Sequence, residues 1–296
     1  MRFSSAVILI VGCRYFHRAG KSSALAISND LPPTEAGGFR GGTRKGLDLT
    51  FGSPITSNFS PKPSSASSPI RGGILFRTIQ STESGNSAIV SGPSLIVDRI
   101  LNLTRSRNIA ELVNSKLGSL SALEVPVSDS NGSPRVARLY LTNSAGNDTP
   151  ASLIVHQSPR IGLELSHPSV IPQAKNPWVS FIGKFYRYFI RPENLKSNGR
   201  CNTLVGLAAE AFPEGLSKGF SSCDVPIVPI LEDRLQNFPG SKSATLKRYM
   251  EYFVEGFSNG SLARFVGPGG KGVASNPRKF MRMMGVLCRM GLLEAN

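Results

Sequence analysis

Gly41-Gly42-Thr43-Arg44-Lys45-Gly46-Leu47-Asp48 sets two cations beside a pair of glycines. That combination suits a phosphate, because glycine lets a ligand approach exposed amides while Arg44 and Lys45 supply positive charge. Asp48 is placed to orient one of those side chains. The same letters also describe a glycine-rich hairpin with ordinary surface cations. A second candidate, Arg77, lies within Gly73-Ile74-Leu75-Phe76-Arg77-Thr78-Ile79, which reads as a mostly buried strand. A guanidinium in such a run needs an anion or a carbonyl as partner. Further along stand Ser158-Pro159-Arg160-Ile161-Gly162-Leu163 and the aromatic-basic run Phe185-Tyr186-Arg187-Tyr188-Phe189-Ile190-Arg191-Pro192. Two other matches carry no chemistry. Gly256-Phe257-Ser258-Asn259-Gly260 has the letters of a nucleophile elbow, but a helical pattern precedes the serine where a strand is required, so it reads as a helix stop. Gly267-Pro268-Gly269-Gly270-Lys271-Gly272 lacks the spacing of a phosphate-binding P-loop and has Gly272 where a metal-binding hydroxyl should stand, so it reads as a basic turn.

Thirty-four Lys and Arg against nineteen Asp and Glu give a formal charge of +15, the electrostatic footprint of a polyanion binder. Cys13, Cys201, Cys223 and Cys288 show no metal-ligand spacing among themselves or with His17, His156 and His167. No zinc site and no cofactor are expected, and a reducing compartment fits. The start, Met1-Arg2-Phe3 followed by Ala6 to Val11, reads as a minimal secretory signal or as a buried strand. The absence of acidic residues from Met1 to Asn29 adds a transit peptide as a third reading. No stretch reaches the roughly 20 apolar residues of a membrane span.

The elements that must position these residues follow from patterning. Residues 19 to 38 and 53 to 72 are rich in Ser, Pro and Gly and read as loops or insertions. Ser91-Gly92-Pro93 opens a helix with Leu95, Ile96, Ile100 and Leu103 as its apolar stripe. A short helix from Ser106 turns Ile109, Leu112 and Val113 inward. Strands are expected at 135 to 141, 152 to 155, 161 to 165 and 185 to 190. Beyond residue 200 the pattern is helical: Leu246, Tyr249, Met250, Phe253, Val254 and Phe257 share a stripe that Asn259-Gly260 ends. A last helix starts at Asn276-Pro277 and carries Arg278, Lys279, Arg282 and Arg289. From Ser241 onward nine Lys and Arg face three Glu, which describes either a phosphate-gripping tail or a solvated basic face.

Four segments, in order, resemble the alkyladenine (3-methyladenine) DNA glycosylases: Gly72 to Arg77, Ser91-Gly92-Pro93-Ser94-Leu95, Ser158 to Leu163 and Phe185 to Arg191. The resemblance covers roughly residues 72 to 192. It is closest to a divergent eukaryotic branch of that family, marked by Tyr-Phe-His-Arg (here Tyr15 to Arg18), the Gly41 to Asp48 motif and the Ser158 to Leu163 motif. It implies an α+β fold with a mixed, largely antiparallel β core, surrounding helices and a helical C-terminal tail. The expected organisation is a glycosylase-like domain over 1–200 with a basic helical extension over 201–296.

In that family an extruded base enters a pocket, and a glutamate activates the water that attacks the sugar carbon. By resemblance, Arg77 helps to position that water and the backbone carbonyl of Ile161 also holds it. The glutamate belongs to a Glu-Ala-Tyr-like segment upstream of Tyr-Phe-His-Arg. This chain has only Met1 to Gly12 there, as an N-terminally truncated member would. Thr34-Glu35-Ala36 imitates the letters with Gly37 in place of the aromatic, which makes Glu35 the candidate base. Arg44, Lys45, Asp48, Arg160, Tyr186 and Arg187 are the candidate nucleic-acid contacts. The implied partner is duplex DNA, without a membrane, bound by a monomer in the nucleus or cytoplasm. Two alternatives stay open: a non-catalytic nucleic-acid-binding module of the same fold, and a basic protein that binds an acidic partner.

Overall fold

A computed structural model of the chain describes residues 13–16, 42–51, 72–81, 88–116, 154–195, 199–217, 227–234 and 242–293. Glu35, the apolar start at 6–11 and the strand expected at 135–141 lie outside the described residues. The protein is mixed α+β, with small antiparallel sheets and helices. It divides into two compact units, Met1–Asn147 and Asp148–Asn296. The stretches expected as strands at 152–155, 161–165 and 185–190 therefore fall in the same unit as the helices beyond residue 200.

In the first unit β1 (Cys13–Phe16), β2 (Leu47–Phe51) and β3 (Gly72–Leu75) form a three-stranded antiparallel sheet with β2 in the middle. Tyr15 stands opposite Asp48, and Asp48 opposite Leu75. The single strand expected over 73–79 is two strands instead. After Leu75 the chain changes partner, and β4 (Thr78–Ser81) pairs with β5 (Ala88–Ser91). At the switch the Phe76 amide donates to the Leu47 carbonyl at 3.0 Å, and the Arg77 carbonyl accepts from the Gly92 amide at 2.7 Å. Both backbone groups are thus satisfied without a continuous ladder.

Helix α1 (Pro93–Thr104) starts at Gly92-Pro93 as its sequence predicts, but its buried stripe differs. Ile96, Val97 and Ile100 face the core with Leu47, Ile79, Ile109 and Leu112, whereas Leu95 is 52% exposed and Leu103 37%. Helical spacing from Ile96 and Ile100 selects Val97 and Leu101 as neighbours and leaves Leu95 and Leu103 at or beyond the edge of the stripe. Helix α2 (Ile109–Glu111) is capped by the Asn108 side chain, which accepts from the Glu111 amide at 2.8 Å, and continues as a wider turn over Leu112–Lys116.

In the second unit β6 (His156–Ser158) pairs antiparallel with β7 (Arg187–Phe189), and Ser158 stands opposite Arg187. Ile154 and Val155, expected in a strand, precede β6 and are exposed. Residues 161–165, also expected as a strand, form a turn and only a single bridge, from Leu165 to Val266. Gly162 has φ +81°, a left-handed conformation that breaks an extended run and that glycine tolerates without strain. Between the two strands lies a short helix, α3 (Pro177–Ile182).

Helices α4 (Arg200–Ala211), α5 (Pro213–Ser217), α6 (Ile227–Arg234), α7 (Ser243–Asn259) and α8 (Pro277–Arg289) complete this unit. Leu246, Met250 and Phe253 of α7 meet Met281, Met284 and Cys288 of α8 in its core. Tyr249, Val254 and Phe257 flank that stripe, half-buried. Gly260 ends α7, so Gly256 to Gly260 is a helix stop as read. The Asn276 side chain caps α8 by accepting from the Lys279 amide at 3.0 Å, and Pro277 occupies the first turn, where its missing N–H costs nothing. Asn276→Ala is expected to lower stability by about 1 kcal/mol, the usual worth of such a cap, as read by the urea midpoint at unchanged m-value. No described helix is long and apolar enough to cross a membrane.

Candidate nucleic-acid interface

In the first unit the glycine turn is tied to α1. Gly42–Arg44 forms a 3-10 turn whose Gly42 carbonyl accepts the Ser94 hydroxyl at 3.0 Å. The Lys45 ammonium makes an ion pair with Asp98 on α1, with Lys45 mostly buried and Asp98 partly exposed. Of the two cations proposed to hold a phosphate, Lys45 therefore joins turn to helix, and Arg44 is located here through its backbone alone. Asp48 is half-buried on the central strand. Arg77 is half-buried at the partner switch between β3 and β4.

The second unit holds Arg160, Ile161, Tyr186 and Arg187, and they have separate tasks. Arg187 is turned inward. Its guanidinium donates to the hydroxyls of Ser158 at 3.0 Å and Thr203 at 2.8 Å, both fully buried, and lies over the Phe189 ring at 4.6 Å. It ties β6 and β7 to α4, a structural employment that its sequence surroundings did not announce. Ile161 packs on the backbone of Gly199, where even a methyl group would fall 2.1 Å from the isoleucine Cδ1. Its segment is held by Asn202 on α4, whose side-chain amide donates to the Arg160 carbonyl at 2.9 Å.

Arg160 and Tyr186 do face outward, and they meet residues that pattern reading missed. The Arg160 guanidinium lies 5.7 Å from the centre of the Phe181 ring, and Tyr186 packs against the same ring at 5.4 Å with a 49° tilt. One helical turn back on α3 is Trp178, with its indole stacked on the His167 imidazole at 5.5 Å and 8°. Trp178 is 55% exposed, Tyr186 43% and Phe181 40%. Two ring pairs, His167–Trp178 and Phe181–Tyr186, thus lie open to solvent in a row, related through the three-residue spacing of Trp178 and Phe181 on α3. Single exposed aromatics are common, but a contiguous series with an arginine laid on it marks an interaction surface.

Local sequence explains how the row is held. Asn176 caps α3 by accepting from the Trp178 amide at 3.0 Å, Pro177 fills the first turn, and buried Val179 and Ile182 anchor the opposite face. With the inner face fixed by Val179 and Ile182, Trp178 and Phe181, three apart, must share the outer one. His167 is fixed in turn by Ser169, whose hydroxyl and amide lie 2.6 Å and 3.3 Å from Nδ1. The Asn-Pro pair that opens α3 is the same signal that opens α8. It was legible at 176 but belongs to a helix of six residues, too short for periodicity to reveal.

The basic face of α8 is largely engaged within the unit. Arg278 and Arg282 lie 5.3 Å and 5.9 Å from the Tyr252 ring, Arg282 also pairs with Glu255, and Arg289 donates to the carbonyls of Phe257, Ser258 and Gly260 at the end of α7. Cations at that position complement the helix dipole and satisfy its last carbonyls. Burial pushes the Cys201 thiol up to about 12, against a smaller opposing pull from Arg200, so at neutral pH it is a protonated core residue and no nucleophile. Among the described residues no group of three or more His, Cys, Asp or Glu is placed to hold a metal ion.

No protein-family model matches this chain, and no curated protein and no solved structure matches it.

Proposed function

We propose that this protein binds nucleic acid, as an alkyladenine-glycosylase-like chain whose second unit supplies the binding surface. The observation that carries the reading is the exposed row His167, Trp178, Phe181 and Tyr186 with Arg160 laid on Phe181, in a chain of charge +15. Rings offer stacking to bases, and the surplus cations attract phosphates. The glycosylase component draws support from how the motif segments associate. Tyr15 and Phe16 pair with Asp48 and Leu47, Asp48 pairs with Leu75, and Ser158 pairs with Arg187, so motifs far apart in sequence become neighbouring strands within each unit.

On the excision reading, carried over from the resemblance, Arg77 positions the attacking water and Glu35 is the base. On the second reading the same surface binds without cleaving. One observation favours the second: Glu164, the carboxylate nearest to Ile161 in sequence, accepts from the Ala274 amide at 3.1 Å, and Glu210 on α4 pairs with His156 at 2.8 Å. Both are committed to structural contacts.

The test is a titration of the full chain with labelled oligonucleotides across a salt series. Affinity is expected to fall steeply, with roughly 0.9 unit of log–log slope for each phosphate neutralised. A flat response would remove the nucleic-acid reading altogether. Duplexes carrying hypoxanthine or alkylated adenine then separate the two forms. Alkali-labile sites that disappear in Arg77→Ala establish excision, whereas binding without such sites identifies the non-catalytic module.

A further inference from the structure

We infer that the ligand of the aromatic row is single-stranded nucleic acid, taken by stacking successive bases on Trp178, Phe181 and Tyr186. This rests on the nucleic-acid reading above and departs from the duplex partner that the family resemblance implies.

The argument begins with what a ring face needs. In a duplex the bases of each strand are stacked about 3.4 Å apart, and their faces are covered by neighbouring bases. Phe181 and Tyr186 pack against each other at 5.4 Å, so a base meets their exposed outer surfaces and does not enter between them. Only unstacked bases can occupy those surfaces. One extruded base would need one or two rings, whereas this surface exposes three large ones, with His167 stacked on the indole.

Nor do the described elements that carry the rings suit the reading of a duplex. α3 has six residues and β6 and β7 three each, while reading the major groove takes a helix or a two-stranded ribbon long enough to enter it. Charge complements the rings. Besides the inward Arg187, residues 154–195 carry four Lys and Arg against two Glu, and one of those, Glu164, is bonded to the Ala274 amide. Lys175 is exposed just before α3, and Arg160 covers Phe181. A guanidinium laid on one ring of a base-stacking platform can reach the phosphate of a nucleotide stacked on a neighbouring ring, which gives Arg160 a positioning role that uses both its plane and its charge. Stacking carries no base code, so little sequence preference is expected.

The chain contains a single tryptophan, Trp178, so its intrinsic fluorescence reports on the row alone. The full chain is titrated with a twelve-nucleotide oligothymidylate, with a duplex of equal length, and with inorganic polyphosphate, which supplies charge without bases. Saturable quenching by the oligothymidylate is expected, with binding at least about tenfold weaker for the duplex at equal salt and no quenching by polyphosphate. Phe181→Ala and, followed by anisotropy of a labelled strand, Trp178→Ala should each weaken single-strand binding about tenfold or more, the loss typical of one stacking ring. Both side chains project into solvent, and far-ultraviolet circular dichroism verifies that the variants are folded. Equal or tighter duplex binding without quenching would overturn the single-strand inference and leave the nucleic-acid reading standing. Failure of every oligonucleotide to bind by anisotropy would overturn both.

Discussion

Gly285→Ala is expected to destabilise the second unit by about 2 kcal/mol or more, although alanine is the better helix former. A methyl group on Gly285 would stand 2.0 Å from the Phe253 carbonyl oxygen and 2.6 Å from the Phe257 amide nitrogen. Both are main-chain atoms of the partner helix and cannot rotate away. The contact is reciprocal: a methyl on Gly256 would meet the Arg282 carbonyl at 2.1 Å, and one on Gly260 the Val286 side chain at 2.3 Å. Gly256 and Gly285 therefore let α7 and α8 approach backbone to backbone, and an added methyl must force the helices apart through a core that Phe253, Met281 and Met284 fill. Intrinsic propensity would return about 1 kcal/mol to the variant. The repacking cost is expected to exceed it, because interiors as dense as organic crystals have no slack to absorb a shift. Urea unfolding followed by circular dichroism measures the difference. The control is Lys279→Ala on the exposed first turn of α8, expected within about 0.5 kcal/mol of the parent protein. A Gly285→Ala protein as stable as its parent would contradict this helix contact.

Arg187→Ala is expected to cost about 2 to 3 kcal/mol of stability while leaving oligonucleotide affinity, measured per folded molecule, within about twofold. The guanidinium donates to the buried hydroxyls of Ser158 and Thr203. Those hydroxyls already donate their own protons to the carbonyls of Pro159 and Gly199, at 3.2 Å and 3.1 Å. Without Arg187 their oxygens lose a charged donor in a place water does not reach, and such hydrogen bonds are worth about 1.5–3 kcal/mol each at most. The stack on Phe189 contributes a smaller part. Arg187→Lys should recover little, since an ammonium cannot reproduce the planar fork that spans two hydroxyls. A phosphate contact would behave in the opposite way, with stability unchanged and the salt slope reduced by about one unit. The two outcomes share no overlap, so one pair of measurements decides between them.

These two residues show why some features were legible in the chain and others were not. Arg187 sits in an aromatic-basic run, and from the run alone its charge points to a polyanion. Its real partners are Ser158 and Thr203, 29 and 16 residues away. Lys45 is a similar case, drawn to Asp98 at a separation of 53 residues. Patterning likewise put Leu95 and Leu103 inside, because it ranks hydrophobicity without knowing which side of α1 the β4 and β5 strands occupy.

What the sequence determined by itself is local. Pro at a helix start with Gly92 or Asn276 before it, the stripe through Leu246, Met250 and Phe253, and the stop at Gly260 all depend on groups within one or two helical turns, and each is where its letters predicted. The tertiary structure decided which glycines mark close helix approach, which cations are held inside and which rings remain in solvent. His167, Trp178, Phe181 and Tyr186 span twenty residues, and the exposure of Trp178 and Phe181 is set by Val179 and Ile182 anchoring the other side of α3. A surface is what the core leaves uncovered, so it is known only once the core has formed.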